Sequence, residues 1–160
     1  MEYIESMSLK NMAEQLVDKY NIYLGYIDIE NIFFASIDGV KPPKASPIFI
    51  SGVASKWVRQ ILGKIPNGQL YCIAIWESEW ESLWKSKQEW LLFDCLLCVG
   101  RNNDGSLRKR DCNEWAIIVE YLGPYWRIKD DVELPSLLDS PDPLPIPMPL
   151  IDPEDEDNNY

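Results

Sequence analysis

The sequence predicts an α+β domain, a small sheet packed with helices, followed by a disordered, acidic, proline-rich tail. Three observations carry this. The chain of 160 residues is 46% apolar with seven tryptophans, enough to fill one core and unlike a disordered chain. Its apolar segments alternate between strand-like runs and helical spacing. Seven of the twelve prolines fall in residues 135–160, where ten acids from Asp130 onward meet no Lys or Arg.

Taken in order, Ser8 reads as the N-cap of an amphipathic helix over 8–20, with Leu9, Met12, Leu16, Val17 and Tyr20 at helical spacing. Tyr26–Ser36 reads as a strand ended by Asp38-Gly39, and Ile48-Phe49-Ile50 as a second. A helix is expected over Val53–Leu62, with Gly63 as C-cap and Pro66-Asn67-Gly68 as a turn. Leu70–Trp76 is apolar on both faces, as a central strand must be. Ser78–Ser86 reads as a short helix, and Lys87–Val99 as a longer one capped near Ser86 and ended by Gly100. Asp111 and Glu114 match a capping box opening a helix over Cys112–Leu122, stopped by Gly123-Pro124. The domain thus spans 1–129, and the tail 130–160.

Charge narrows the function. Of 26 acids, ten lie in the tail, which leaves 16 against 15 bases in the body of the chain. Direct nucleic-acid binding is excluded: the tail repels phosphates and no basic stripe offsets it. No secretory signal or apolar run of membrane-spanning length is present, so a soluble, cytoplasmic protein is expected. With no histidine, Ser-His-Asp and Cys-His chemistry are impossible, and no glycine-rich phosphate loop occurs. Cys72, Cys95, Cys98 and Cys112 read as small buried hydrophobes in a reduced compartment. The alternative is a closed structural zinc site from Cys95, Cys98 and Cys112. Trp76, Trp80, Trp84 and Trp90 recur beside Glu77, Glu79, Glu81 and Glu89, an arrangement with Trp inside and Glu outside; Trp80 and Trp84 are candidate interaction residues.

The segment Leu91–Gly100, with Leu70–Trp80 before it and Arg108–Gly123 after, resembles the putative phage metallopeptidase family. Members are similar to SprT-like peptidases, and the likeness implies a minimal zincin fold. The family pattern is Leu-Leu-x-His-Glu-Leu-x-His-x-Gly, then a loop and a His-Asp pair opening the next helix. By that resemblance Asp94 stands at the first zinc histidine, Cys95 at the general-base glutamate, Cys98 at the second histidine and Arg110 at the third. Hydrolysis by the family mechanism needs a base beside a metal-bound water, and these residues supply none. The resemblance therefore implies a pseudoenzyme, with an Asp94–Arg110 ion pair in place of zinc.

The function expected is non-catalytic: a phage or mobile-element protein that binds and inhibits a host protein, such as a defence nuclease. The acidic run Asp152, Glu154, Asp155, Glu156 and Asp157 would mimic nucleic acid in the partner's basic channel. Two alternatives stay open: a metal-dependent hydrolase with Asp94/Cys98-type ligands, and a virion or assembly docking protein.

Overall fold

The computed structural model describes residues 2–52, 69–101, 105–110, 114–128 and 134–147. A four-stranded sheet is formed by β1 (Glu2–Glu5), β2 (Ile32–Asp38), β3 (Ile48–Gly52) and β4 (Tyr71–Trp76), in the order β1-β2-β4-β3. β2 and β4 pair in parallel, with Ile32 opposite Tyr71; the other two pairings are antiparallel. β4 is buried along its whole length, as the apolar run predicts for an inner strand.

Alternation divides the sheet's side chains between two clusters. Ile32, Phe34, Tyr71, Ile73 and Ile75 belong to the main core, which also contains the buried residues of the helices. Ala35, Ile37, Cys72, Ala74 and Trp76 form a second cluster, joined by Tyr3, Phe33 and Phe49. Helix α1 (Met7–Lys19) buries Leu9, Ala13 and Leu16. Its N-cap is Ser6, not Ser8: the Ser6 hydroxyl accepts from the Leu9 amide at 3.3 Å, and the Ser6 amide continues the sheet by donating to the Phe34 carbonyl at 2.8 Å. That double use is possible because β1 runs straight into α1. The sequence reading missed β1, whose Glu-Tyr-Ile-Glu carries a single pair of apolar residues.

Other boundaries move for local reasons. The strand expected from Tyr26 begins only at Ile32, because Asp28 caps a 3-10 turn over Ile29–Asn31 through its bond to the Glu30 amide. After the short α2 (Asn21–Leu24) and β2 to β4, α3 covers Glu77–Glu81 and α4 covers Lys85–Leu97, with Trp84 rather than Ser86 at its N-cap position. α5 occupies Ala116–Leu122. The helix expected over Val53–Leu62, the Gly63 cap and the Pro66–Gly68 turn lie outside the described residues. So do Asp111 and Cys112.

α4 is the central helix. Every residue from Glu89 to Leu97 is buried. Phe93 meets Tyr20, Tyr23 and Trp90 edge-on at 5.8–6.2 Å, and Trp90 stacks on Tyr121 at 5.9 Å. No helix among the described residues is long and apolar enough to cross a membrane.

Residues 134–147 correct the expected tail, which was read as lacking packed structure from residue 130. Leu134, Leu137 and Ile146 are buried in the main core. The Trp90 indole donates to the Pro135 carbonyl at 2.8 Å, and the Tyr20 hydroxyl to the Leu137 carbonyl at 2.8 Å. Buried Glu89 accepts from the Ser136 hydroxyl at 2.7 Å and the Leu138 amide at 2.9 Å. The segment has no helix or strand of its own and only a few internal hydrogen bonds, such as the Ile146 amide to the Leu144 carbonyl at 2.8 Å. Most of its carbonyls at the contact bond the helices instead, while separated apolar residues anchor it.

Candidate functional site

Asp94 lies in the last turn of α4 at 2% exposure, with two arginines against its carboxylate. The Arg110 guanidinium donates from Nη2 to Oδ2 at 2.8 Å and from Nε to Oδ1 at 3.4 Å. The bridge expected between Asp94 and Arg110 is thus present. Arg127, which sequence reasoning missed, reaches the same Oδ2 at 2.9 Å and also grips Glu114 through Nε at 2.5 Å and Nη2 at 3.1 Å. The cluster runs Arg110–Asp94–Arg127–Glu114, two cations and two anions. A lone carboxylate in such a helix would be costly; two charge-assisted partners offset that desolvation.

Three elements position these groups. α4 supplies Asp94. The loop after Gly100 supplies Arg110, and it is pinned by the bridge between Val99 and Leu107 and by the Arg108 amide donating to the Cys98 carbonyl at 2.8 Å. Gly100 permits this turn: a Cβ there would lie 2.1 Å from the Ser106 carbonyl oxygen and 3.0 Å from the Tyr71 hydroxyl. The 3-10 turn Trp126–Ile128 supplies Arg127. The Trp115 indole donates to the Asp94 carbonyl at 3.2 Å, tying the start of α5 to the same residue. Glu114 serves Arg127 rather than a capping box, and α5 starts two residues later, with Trp115 at its N-cap position.

Electrostatics follow from these contacts. The bonds from Asp94 push the Arg110 pKa up, against the opposing effect of its burial. Arg127 is raised too: burial opposes its charge, and the bonds to Glu114 and Asp94 outweigh that. Burial lifts the Cys98 thiol to about 11 and the Cys72 thiol to about 12, and raises Cys95 well above its ordinary value, with the Asp94 charge adding to the effect. All three are buried free cysteines. Thiolates, the reactive form, are therefore scarce at neutral pH. At pH 8 the native protein is expected to leave Cys72, Cys95 and Cys98 unlabelled by a thiol-reactive disulfide while denaturant exposes them; rapid native labelling, mapped by mass spectrometry, would contradict this.

A cavity of about 280 Å³ opens beside the cluster, lined by Asp94, Cys95, Cys98 and three arginines, Arg108, Arg110 and Arg127, together with residues of β3 and Leu107. The other sequence candidates lie elsewhere. Trp80 is 6% exposed and part of the core, so it offers no surface; Trp84, at 61%, does. The Trp-in, Glu-out pattern fails at both Trp84 and Glu89, because α3 ends at Glu81 and α4 starts a new helical phase at Lys85. Asp152, Glu154, Asp155, Glu156, Asp157 and Cys112 lie outside the described residues.

A small mixed sheet packed on a buried helix, with an ion-pair cluster in that helix's last turn, defines an α+β domain whose polar site lies between α4, the loop behind it and the turn after α5. The chain belongs to the putative phage metallopeptidase family, whose model matches residues 1–138. No curated protein and no solved structure matches it.

A metallopeptidase family implies a metal centre, and the donors at this site do not fit one. Both Asp94 oxygens are engaged by guanidinium donors, so a divalent cation would have to displace them and lie beside their positive charges. Burial raises the Cys95 and Cys98 thiols, so a metal would have to expel their protons against that shift as well as displace the arginines. Among the described residues no three His, Cys, Asp or Glu side chains are grouped to hold a metal ion.

Proposed function

We propose that this protein is a non-catalytic member of its family, a phage or mobile-element protein that acts by binding a host protein. The observation that carries the reading is the Asp94 carboxylate, in the last turn of α4, engaged by both Arg110 and Arg127. A peptidase of the family type needs an activated water and a base to deprotonate it. Here the carboxylate is occupied, the neighbouring side chains are neutral thiols, and the chain has no histidine. The family's scaffold is kept while the groups for hydrolysis are replaced by a charge cluster that ties α4 to the segments behind it.

The acidic run at 152–157 supports binding to a protein with a basic channel, a nuclease being one such partner, because a polyanion competes with nucleic acid for the same field. Removing residues 148–160 tests this and spares the contacts of 134–147. The full chain is expected to retain a nucleic-acid-binding host protein from lysate in a salt-sensitive way, and the shortened chain to lose that retention. Elemental analysis and a casein-cleavage assay with added zinc test the non-catalytic part. Stoichiometric zinc with chelator-sensitive cleavage would overturn it; unchanged capture by the shortened chain would overturn the role given to the acidic run.

A further inference from the structure

A second cavity, of about 220 Å³, forms where β1 turns into α1 and β4 turns into α3. Alternation explains its floor. The core-facing row of β2 runs Ile32, Phe34, Ser36, so it turns polar at its third member. Ser36 is 8% exposed and pairs in register with Ile75 of β4, and both line the cavity. Ser6 and Ser8 enter from the start of α1, Glu77 and Glu81 from α3, and Gln88 from α4. Acceptors dominate this polar lining. The Ser36 hydroxyl donates to Glu77 Oε2 at 3.1 Å, and the Gln88 amide nitrogen to the Trp80 carbonyl at 2.7 Å. Ser6 Oγ accepts the Leu9 amide at 3.3 Å and shares a hydrogen with Ser8 Oγ at 3.3 Å. Glu77 Oε1, both Glu81 oxygens and Gln88 Oε1 have no hydrogen-bond or ion-pair partner among the described residues. No Lys or Arg lines the cavity, and the lysines on the adjoining helices are engaged elsewhere, Lys10 by Glu30 and Lys85 by Asp139.

We infer that this cavity binds a primary ammonium carried on an aliphatic stem. An ammonium is three donors and no acceptor, the complement of these unfilled oxygens. The rest of the lining, Leu9, Met12, Ile75 and Trp80, is apolar and suits the stem, as apolar surface suits the methylenes of lysine. Ser36 holds one oxygen of Glu77 and leaves the other for the ligand, so that carboxylate is oriented before binding. The same bond spoils, at Glu77, the two-oxygen fork that a guanidinium prefers. Two carboxylates repel an anion, and a neutral alcohol brings one donor without charge. The volume, below the roughly 300 Å³ where drug-sized pockets begin, suits a single unbranched chain. The ammonium can belong to a free alkylamine or to a lysine side chain of a protein; the chemistry recognised is the same. None of this depends on the Asp94 cluster or on the acidic run at 152–157.

Amide NMR titration of the full chain with n-butylammonium, a stem about as long as lysine's, tests the proposal. Saturable shifts are expected at the amides of Ser6, Ser36 and Trp80, with n-butanol weaker by about tenfold or more, as loss of charge-assisted hydrogen bonds implies. Gly-Lys-Gly blocked at both ends separates the sources: tighter binding than n-butylammonium assigns a lysine side chain, and weaker binding assigns a free amine. Glu77→Gln with Glu81→Gln removes charge from two exposed residues and keeps an oxygen for Ser36. This double variant is expected to weaken n-butylammonium about tenfold or more and to leave the thermal midpoint unchanged. Glu79→Gln removes an exposed charge from the same helix outside the lining, and is expected to leave binding unaltered. Equal binding of n-butanol, tighter binding of n-butylguanidinium, unaltered binding by the double variant, or an equal loss in Glu79→Gln would overturn the site. Shifts confined to residues 148–160 would overturn it too, while leaving the role given to the acidic run intact.

Discussion

Asp94→Ala is expected to lower the folding free energy by about 3–5 kcal/mol, the range for breaking a buried ion pair by removing one partner. Two guanidiniums now face each other without the carboxylate between them. Arg127 keeps Glu114, but Arg110 loses its only anionic partner among the described residues. The desolvation that Asp94 offset remains, and its attraction does not. The contrasting variant carries Asp94→Leu, Arg110→Met and Arg127→Met together. Buried ion-pair groups exchanged for apolar side chains of similar volume are often neutral or stabilising, so this triple variant should lie within about 2 kcal/mol of the parent. Glu114 survives the exchange because it is one-quarter exposed and can reach water. Urea denaturation of the parent and both variants measures the asymmetry. A single variant as stable as the parent would mean that the cluster holds nothing together. A triple variant as damaged as the single one would mean that the site needs charge rather than mere filling.

The same cluster shows what the sequence makes legible. β4 and the second half of α4 are readable because each is buried on all sides, and a continuous apolar run bounded by turn residues is how such an element appears. Asp94 stands out as the one acid inside the Leu91–Val99 run, and family resemblance then supplies Arg110 as its partner. Arg127 has no such pointer. It lies beyond α5 after Gly123-Pro124, and only the fold's return across α4 brings it to within 2.9 Å of Asp94. Glu114 carries a misleading signal, since its spacing from Asp111 imitates a capping box while its carboxylate is taken by Arg127. Trp80 and Trp84 look alike in sequence; the break between α3 and α4 sends one inward and the other to solvent. Ile48, Ile50 and Leu107 are ordinary strand and loop hydrophobes until the sheet edge and the Val99–Leu107 bridge set them around one cavity.

Truncation after residue 133 should abolish cooperative folding, whereas truncation after 147 should leave the denaturation midpoint near that of the full chain. The reason lies in the borrowed core. Leu134, Leu137 and Ile146 are between 0% and 5% exposed, and burying three such side chains contributes about 5–9 kcal/mol at the usual 1.5–3 each. That alone is comparable to the roughly 5–15 kcal/mol that stabilises a typical domain. The polar losses act in the same direction. Glu89, fully buried on α4, would lose the Ser136 hydroxyl and the Leu138 amide; Trp90 would lose the Pro135 carbonyl; Tyr20 and Tyr23 would lose the Leu137 and Ile146 carbonyls. Lys19, which bonds the Leu138 and Ser140 carbonyls, would lose both partners. Prolines make the segment effective as a strap, because their restricted backbone reduces the entropy lost on docking. Circular dichroism with urea titration of the 1–133 and 1–147 chains decides the matter. A 1–133 chain that unfolds cooperatively at the parental midpoint would show that α4's buried glutamate and aromatic residues are satisfied without residues 134–147.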